Sequence, residues 1–371
     1  LTLKDNHVRR ALSNSRSVFF KDATARTTDI ARVMNIQAKD IVEYWVEPHP
    51  VDNLKVHLVS GFGNCGAQRD SKEQRKKGLT EASLPQRLIK GVEEIVANKR
   101  AEASKLGKKI KIAVIDFMGQ LKNYKHIPGI DYFGYWWVDN RGTNELTDYD
   151  VYIAVGNPSA NFGAMAAEFR TLTGKYANPA NPTGEFKEYI QHSIDSEKLQ
   201  FVGRPRAHLQ PHKQKDVYLL GDYSQHLEYK LKQQFVGVKI EKLTAFDLTP
   251  DAATRSDRDT RKAIELAMRW ERMGQKVTQE GLAQEMGCSQ SWVSKIFKRL
   301  SPERGYKEVI KLFQSLNNLF FRKWNNSDNP MDGLSDEVRW IAETYFPVLV
   351  SDLINGDELA SDLIEVVDIA R

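Results

Sequence analysis

Cysteine is nearly absent: the 371 residues contain only Cys65 and Cys288, far apart in the chain. Two distant thiols cannot build a disulfide framework, and they fit a reducing, cytoplasmic setting. The eight histidines do not fall beside the cysteines at metal-ligand spacing, so no zinc site is expected. No uninterrupted apolar run approaches the roughly 18 residues of a membrane span. The first residue is Leu, and no secretory-type apolar segment follows it, which reads as a piece of something longer. A last absence bears on chemistry. No G-x-x-x-x-G-K-[ST] loop occurs to wrap nucleotide phosphates; "LTGKY" (172–176) has Gly-Lys but neither the first glycine nor the Ser/Thr. Asp357-Glu358-Leu359-Ala360 follows no buried strand and reads as surface helix.

What is present begins with charge. The formal net charge is only +5, but Lys and Arg concentrate in 69–111 and 255–311, while the tail from Asp328 to Asp368 is acidic. Two basic zones with an acidic tail suit a polyanion-binding protein. The length allows two or three domains.

Over the first two-thirds, short β-branched or aromatic runs alternate with helical patterns. The runs are "SVFF" (17–20), "LKVHLVS" (54–60), "KIKIAVIDF" (109–117), "YFGYWW" (132–137), "DYDVYIAVG" (148–156) and "DVYLLGD" (216–222). Helical patterns lie near 84–105, 159–173 and 185–203. Such alternation predicts an α/β fold, a mostly parallel sheet with helices on both faces. Ligands of such sheets sit at the carboxyl ends of the strands, where "DAT", "GNP", "RGTN" and the Gln-Gly-Arg run of 200–204 are expected.

Four segments in order carry a resemblance. Asp22-Ala23-Thr24 resembles the Ser/Asp-Ala-Thr motif closing the first motor domain of superfamily 2 helicases, and "KIAVIDF" resembles the strand that opens their second. "RGTNELTDYDVYIAVGNP" (141–158) resembles their fifth motif, and "QFVGRPR" (200–206) their sixth. The run "YFG…RGTNEL…DVYIAVGNP…GRPRAH" resembles the helicase portion of cyanobacterial plasmid replication initiators, and the resemblance covers roughly residues 15–225. The resemblance implies a RecA-like second motor domain over 36–248, with 1–35 ending the first. It implies ATP and Mg2+ as cofactors, held mainly by an upstream domain. Arg204, Arg206 and Gln200 would be catalytic, with Arg204 stabilising charge on the γ-phosphate. Asp22, Ala23, Thr24 and Gly203 would couple nucleotide state to nucleic-acid grip. Arg141, Thr143 and Asn144 would bind a single strand's phosphates or cap the next element. The sequence departs from the pattern at Ala207, where the family has its last arginine; Arg206 carries the second cation instead, which makes Arg204 the stronger candidate.

The last third changes character. "DLTPDAATR" (248–256) reads as a linker, and helical periodicity follows over 257–273. In "VTQEGLAQEMGCSQSWVSKIFKRL" (277–300), counting from Gln279, Leu282 and Ala283 fall at four and five, Gly287 at nine, Val293 at fifteen and Ile296 at eighteen. That is the helix-turn-helix pattern, with alanine at the helix contact, glycine in the turn, and Thr278 and Ser289 as N-caps. The second helix offers Ser289, Gln290, Ser291, Trp292, Ser294, Lys295, Lys298 and Arg299, with no acid between Ser289 and Leu300. Its first turn can meet base edges while its cations meet phosphates. The module is placed at 249–311, and a helical, acidic extension at 312–371. There "YKEVIKLFQSLNNLFFRKW" and "DEVRWIAETYFPVLVSDLI" read as two amphipathic helices, with Phe320, Phe321, Trp324 and Trp340 in the core.

Two functions follow from these readings. One is the C-terminal portion of an ATP-dependent DNA helicase of plasmid replication initiation, with duplex and single-stranded DNA and other replication proteins as partners. The other is a non-enzymatic DNA-binding regulator or partition protein whose α/β domain binds an effector.

Overall fold

A computed structural model describes residues 27–34, 36–42, 48–63, 65–66, 69, 83–139, 145–302, 306–321 and 330–355. The strand expected at 17–20 lies outside them, as do Asp22, Ala23, Thr24, Arg141, Thr143, Asn144 and Trp324. The chain divides into two compact units. The first comprises Leu1–His57, Asn64–Arg69 and Val96–Ile240, and the second Leu58–Gly63, Asp70–Ile95 and Glu241–Arg371.

A six-stranded parallel sheet is the central feature, with helices around it. Its strands are β1 (Leu54–Ser60), β2 (Ile112–Asp116), β3 (Tyr132–Tyr135), β4 (Val151–Val155), β5 (Lys215–Leu220) and β6 (Lys239–Thr244), in the spatial order β3-β2-β4-β5-β1-β6. Every residue of β2 and β4 is buried. Strands covered on both faces need no polar alternation, so they read in sequence as unbroken apolar runs. β2 pairs with β4 through Ile112↔Val151 and with β3 through Ala113↔Tyr132, and β4 pairs with β5 through Val151↔Asp216.

Helices α1 (Thr27–Met34), α2 (Leu84–Lys105), α3 (Phe162–Thr173), α4 (Gly184–Val202) and α5 (Gln225–Gln234) complete the α/β part. Asn161 caps α3 by accepting hydrogen bonds from the amides of Gly163 and Ala164, and Gly174 ends it in the left-handed conformation. Met165, Phe169, Phe186 and Ile190 lock α3 against α4. Two sequence readings need adjustment here. The strand expected over 132–137 stops at Tyr135, because the chain turns through Trp137 at φ +65° and sends the Trp136 indole to the carbonyl of Val155 at 2.9 Å. β6 and α5 were not anticipated. β6 reads "KIEKLT", half-buried at the sheet edge, where lysines replace the apolar signal of a central strand.

The C-terminal segment of the second unit is helical: α6 (Ala245–Leu248), α7 (Arg255–Arg272), α8 (Gln279–Met286), α9 (Gln290–Leu300), α10 (Tyr306–Phe321), α11 (Asp336–Tyr345) and α12 (Pro347–Asn355). Ala263, Leu282, Val293, Phe313, Ile341 and their neighbours form one core across these helices. The stretch expected as a linker is packed instead. Ala252 and Ala253 are buried, and Thr244 and Thr254 cap helices on either side of them. The single helix expected over 336–354 is two, since Pro347 has no amide to continue the ladder and starts α12 instead. Phe320 lies in the core as expected, whereas Trp340 is 43% exposed, with its ring edge-on to Tyr345.

Candidate functional site

The carboxyl ends of β2, β4 and β5 gather charged groups that no sequence motif announced. Asp116, the last residue of β2, is wholly buried. Its carboxylate is ion-paired with Arg69, accepts the Tyr124 hydroxyl at 2.8 Å and takes the Phe117 amide at 2.7 Å. Arg69 also donates to the Tyr124 oxygen at 3.1 Å, yet its Nε and Nη1 are buried without partners among the described residues. Burial opposes charge on both members of the pair. For Arg69 the neighbouring Tyr124 and Asp116 outweigh that cost and raise its pKa. For Asp116, burial raises the pKa while Arg69 resists.

Beside this pair, the Lys198 ammonium reaches out of α4 to donate to Asn157 Oδ1 at 2.9 Å and to the carbonyl of Asp222 at 2.6 Å. Burial pulls its pKa down to about 8, with Asp195 opposing. Asp195 itself accepts from Gln191 at 2.8 Å and from Ser224 at 2.6 Å. Cys65 completes the group; burial pushes its thiol up to about 12, so it is a packed thiol and not an activated nucleophile. Gly156 follows β4 at φ +98°, and a Cβ there would lie 2.7 Å from the Cys65 carbonyl oxygen. Only glycine allows that approach. Among the described residues no cluster of His, Cys, Asp and Glu could hold a metal ion.

Lys198 makes a pH prediction. Its folded pKa is about 8 against an ordinary 10.5. Between those values the unfolded chain binds a proton the folded chain has released, so this group's contribution to stability rises with pH across that window. Cys65 acts in the opposite direction above pH 9, so the informative quantity is a difference. Urea midpoints of the wild type minus those of Lys198→Met should increase from pH 8 to pH 10; a flat difference would mean that Lys198 keeps its ordinary pKa.

The Gln-Gly-Arg run lies elsewhere. α4 ends at Val202, and Gly203 closes it by donating to the Leu199 carbonyl at 3.2 Å. Beyond it, Asn53, which precedes β1, donates to the carbonyls of Ala207, Gln210 and Lys213 at 3.1, 2.9 and 2.8 Å. His208 stacks on His49, 5.7 Å away. The run therefore borders the amino ends of the strands, not the carboxyl ends as expected. The reason is topological: a crossover helix carries the chain back to where the next parallel strand begins. Gln200 and Arg204 are half-buried and Arg206 is exposed. Arg206 adopts φ +46°, and Arg204 Nε is buried without a partner among the described residues. Arg204's pKa is lowered by burial and by Arg206, with Glu197 opposing.

In the helical segment, α8 and α9 meet at a tight turn. Thr278 caps α8 by accepting from the Gly281 amide at 3.0 Å, and Ser289 caps α9 by accepting from the Trp292 amide at 3.3 Å. Gly287 sits between them at φ +63° with open space where a Cβ would be. Its requirement is thus backbone conformation alone. Gly287→Val should cost about 1–2 kcal/mol, read as a lowered urea midpoint, with helix content retained. Val293, Ile296, Phe297 and Leu300 bury one face of α9. The opposite face leaves Gln290, Ser291, Lys295, Lys298 and Arg299 exposed, and Ser294 half-exposed. Two expected contact residues also bond to α7. The Trp292 indole donates to Asp259 at 2.9 Å and packs on the core, and Arg299 pairs with Asp257 at 2.7 Å and with Ser256. Both tie α9 to the start of α7, which spacing along one helix could not disclose.

No helix among the described residues is long and apolar enough to cross a membrane. No protein-family model matches the chain, and neither curated proteins nor solved structures give a match.

Proposed function

We propose that the chain binds duplex DNA through α8 and α9, acting as a helix-turn-helix, and that its parallel sheet is the second, RecA-like motor domain of an ATP-dependent helicase of plasmid replication initiation. The observation that carries the DNA reading is the solvent face of α9: Gln290, Ser291, Lys295 and Lys298 project from a helix whose other side is held in a core. Side chains in the first turn suit base edges, and lysines a turn or two later suit phosphates. Trp292 and Arg299 serve as braces that fix the angle of α9. The motor reading is supported by the order of the sequence motifs and by the parallel sheet, with Arg204 as the cation for a γ-phosphate and ATP with Mg2+ as the cofactors.

Titrating specific and scrambled duplexes over a range of salt tests the DNA reading. Binding should weaken steeply with salt, and Gln290→Ala or Ser291→Ala should change preference among sites by roughly 1–3 kcal/mol per lost base contact. Absence of binding to either duplex at low salt, by a protein still helical in circular dichroism, would overturn it. ATP turnover tests the motor reading. This chain has no phosphate loop and should not hydrolyse ATP, with or without DNA. In a chain that carries the loop upstream, Arg204→Ala should cut hydrolysis by orders of magnitude. The amino-end position of the Gln-Gly-Arg run favours a second reading, a DNA-binding regulator whose effector sits at the charged carboxyl edge. Unchanged hydrolysis in Arg204→Ala would remove the Arg204 assignment, and no ATP hydrolysis by a chain that includes the upstream region would select the regulator.

A further inference from the structure

A cavity of about 170 Å3 opens on the helical segment, floored by Phe320, Phe346 and Leu349. An apolar void of roughly 150 Å3 is enough to take up a single aromatic ring. Phe320 and Phe346 meet at 58° with their centroids 5.6 Å apart, a tilted pair against which a further ring can pack edge to face. The rim is cationic. Lys262, Arg269 and Arg272 line it from one face of α7. The single acid lining it, Glu265, is already paired with Arg261 at 3.0 Å. Arg269 reaches Glu285 only at 3.6 Å. Arg272 makes no ion pair among the described residues, and burial, with no charged neighbour to offset it, lowers its pKa. Its guanidinium lies over the Phe321 ring, 3.9 Å from the centroid. Stacking engages the face of a guanidinium and leaves the N–H donors along its edge for a carboxylate.

We propose that this cavity binds a small aromatic carboxylate, with its ring on Phe320, Phe346 and Leu349 and its carboxylate on the Arg272 guanidinium. Size and charge select that chemistry together. A neutral ring of the same shape would fill the floor and leave the rim cations uncompensated. A short aliphatic acid would pair with Arg272 and leave the apolar floor open to water. A cationic ring would meet like charge from Lys262, Arg269 and Arg272 at once. An anion joined directly to an aromatic ring satisfies both halves of the site.

Benzoate tests the proposal on the full chain, titrated at constant ionic strength and followed by calorimetry. It should bind saturably with a Kd on the order of 1 mM or tighter, as its size allows. Benzamide has the shape without the charge, and acetate the charge without the ring; each should bind at least tenfold more weakly, and neither comparison needs a variant. Arg272→Gln should weaken benzoate binding at least tenfold and leave the melting temperature near that of the wild type, because Arg272 is exposed. Absence of saturable benzoate binding would overturn the proposal, as would benzamide binding equally well. So would benzoate affinity unchanged in Arg272→Gln, which would put the anion elsewhere. Acetate binding as tightly as benzoate would also overturn it, since the rim would then read carboxylates without the floor, as it would for an acidic protein segment.

Discussion

Lys295→Ala with Lys298→Ala should weaken duplex binding on the order of 50-fold at 0.1 M salt and lower the slope of log affinity against log salt by about 2. The reasoning is electrostatic. Each phosphate contact releases close to one condensed counterion, and these two lysines are exposed on the same helix with no ion pair among the described residues. The loss should be equal on specific and scrambled duplexes, because phosphates carry no sequence. Arg299→Ala makes the contrast. Its guanidinium is committed to Asp257 and Ser256, so its removal should lower the unfolding midpoint and leave the salt slope close to that of the wild type. Filter binding at four salt concentrations, with circular dichroism melts on the same samples, would separate the two classes. A salt slope unchanged in the double lysine variant would remove α9 from the proposed DNA interface.

Arg69→Met should destabilise the protein by about 3–5 kcal/mol, enough to populate the unfolded state of an ordinary domain. The Asp116 carboxylate would then be left in a site with no solvent, held by the Tyr124 hydroxyl and the Phe117 amide alone. Most of the loss is the uncompensated charge and not the missing contact. Arg69→Met combined with Asp116→Asn should therefore recover a large share of the stability, since the neutral amide can accept from the Phe117 amide and donate to the Tyr124 oxygen without the ionic desolvation cost. Urea denaturation of the two single variants and the double variant supplies the cycle. Additive losses in the double variant would show that the two side chains act independently.

The α/β part was legible where burial is complete. "IAVI", ahead of Asp116, and "VYIAV" are unbroken hydrophobic runs, a pattern with few alternatives to a strand covered on both faces. The helix caps were legible too, because Thr278, Gly287 and Ser289 act through local backbone geometry that a few neighbouring residues decide. Strand β6 was not, since an edge strand buries little and "KIEKLT" lacks the apolar content that marks a strand. Nor was the break at Phe346, although Pro347 stood in view; the amphipathic period runs on through it, and only the packed helices reveal two segments.

The amino-acid sequence by itself determined the local order: which runs become strands, where helices begin, and that α9 carries lysines and no acid. Such features depend on periodicity and on side chains within a few residues of one another. The tertiary structure alone decided which distant side chains share an environment. Arg69, Asp116, Tyr124 and Lys198 come from four separate segments, and they meet because parallel strands bring every carboxyl end to one edge. The same topology returned the Gln-Gly-Arg run to the opposite edge, and helix packing tied half-buried Trp292 and exposed Arg299 to the start of α7. Spacing along a chain reports one element at a time; charge, burial and reach depend on which elements lie beside it.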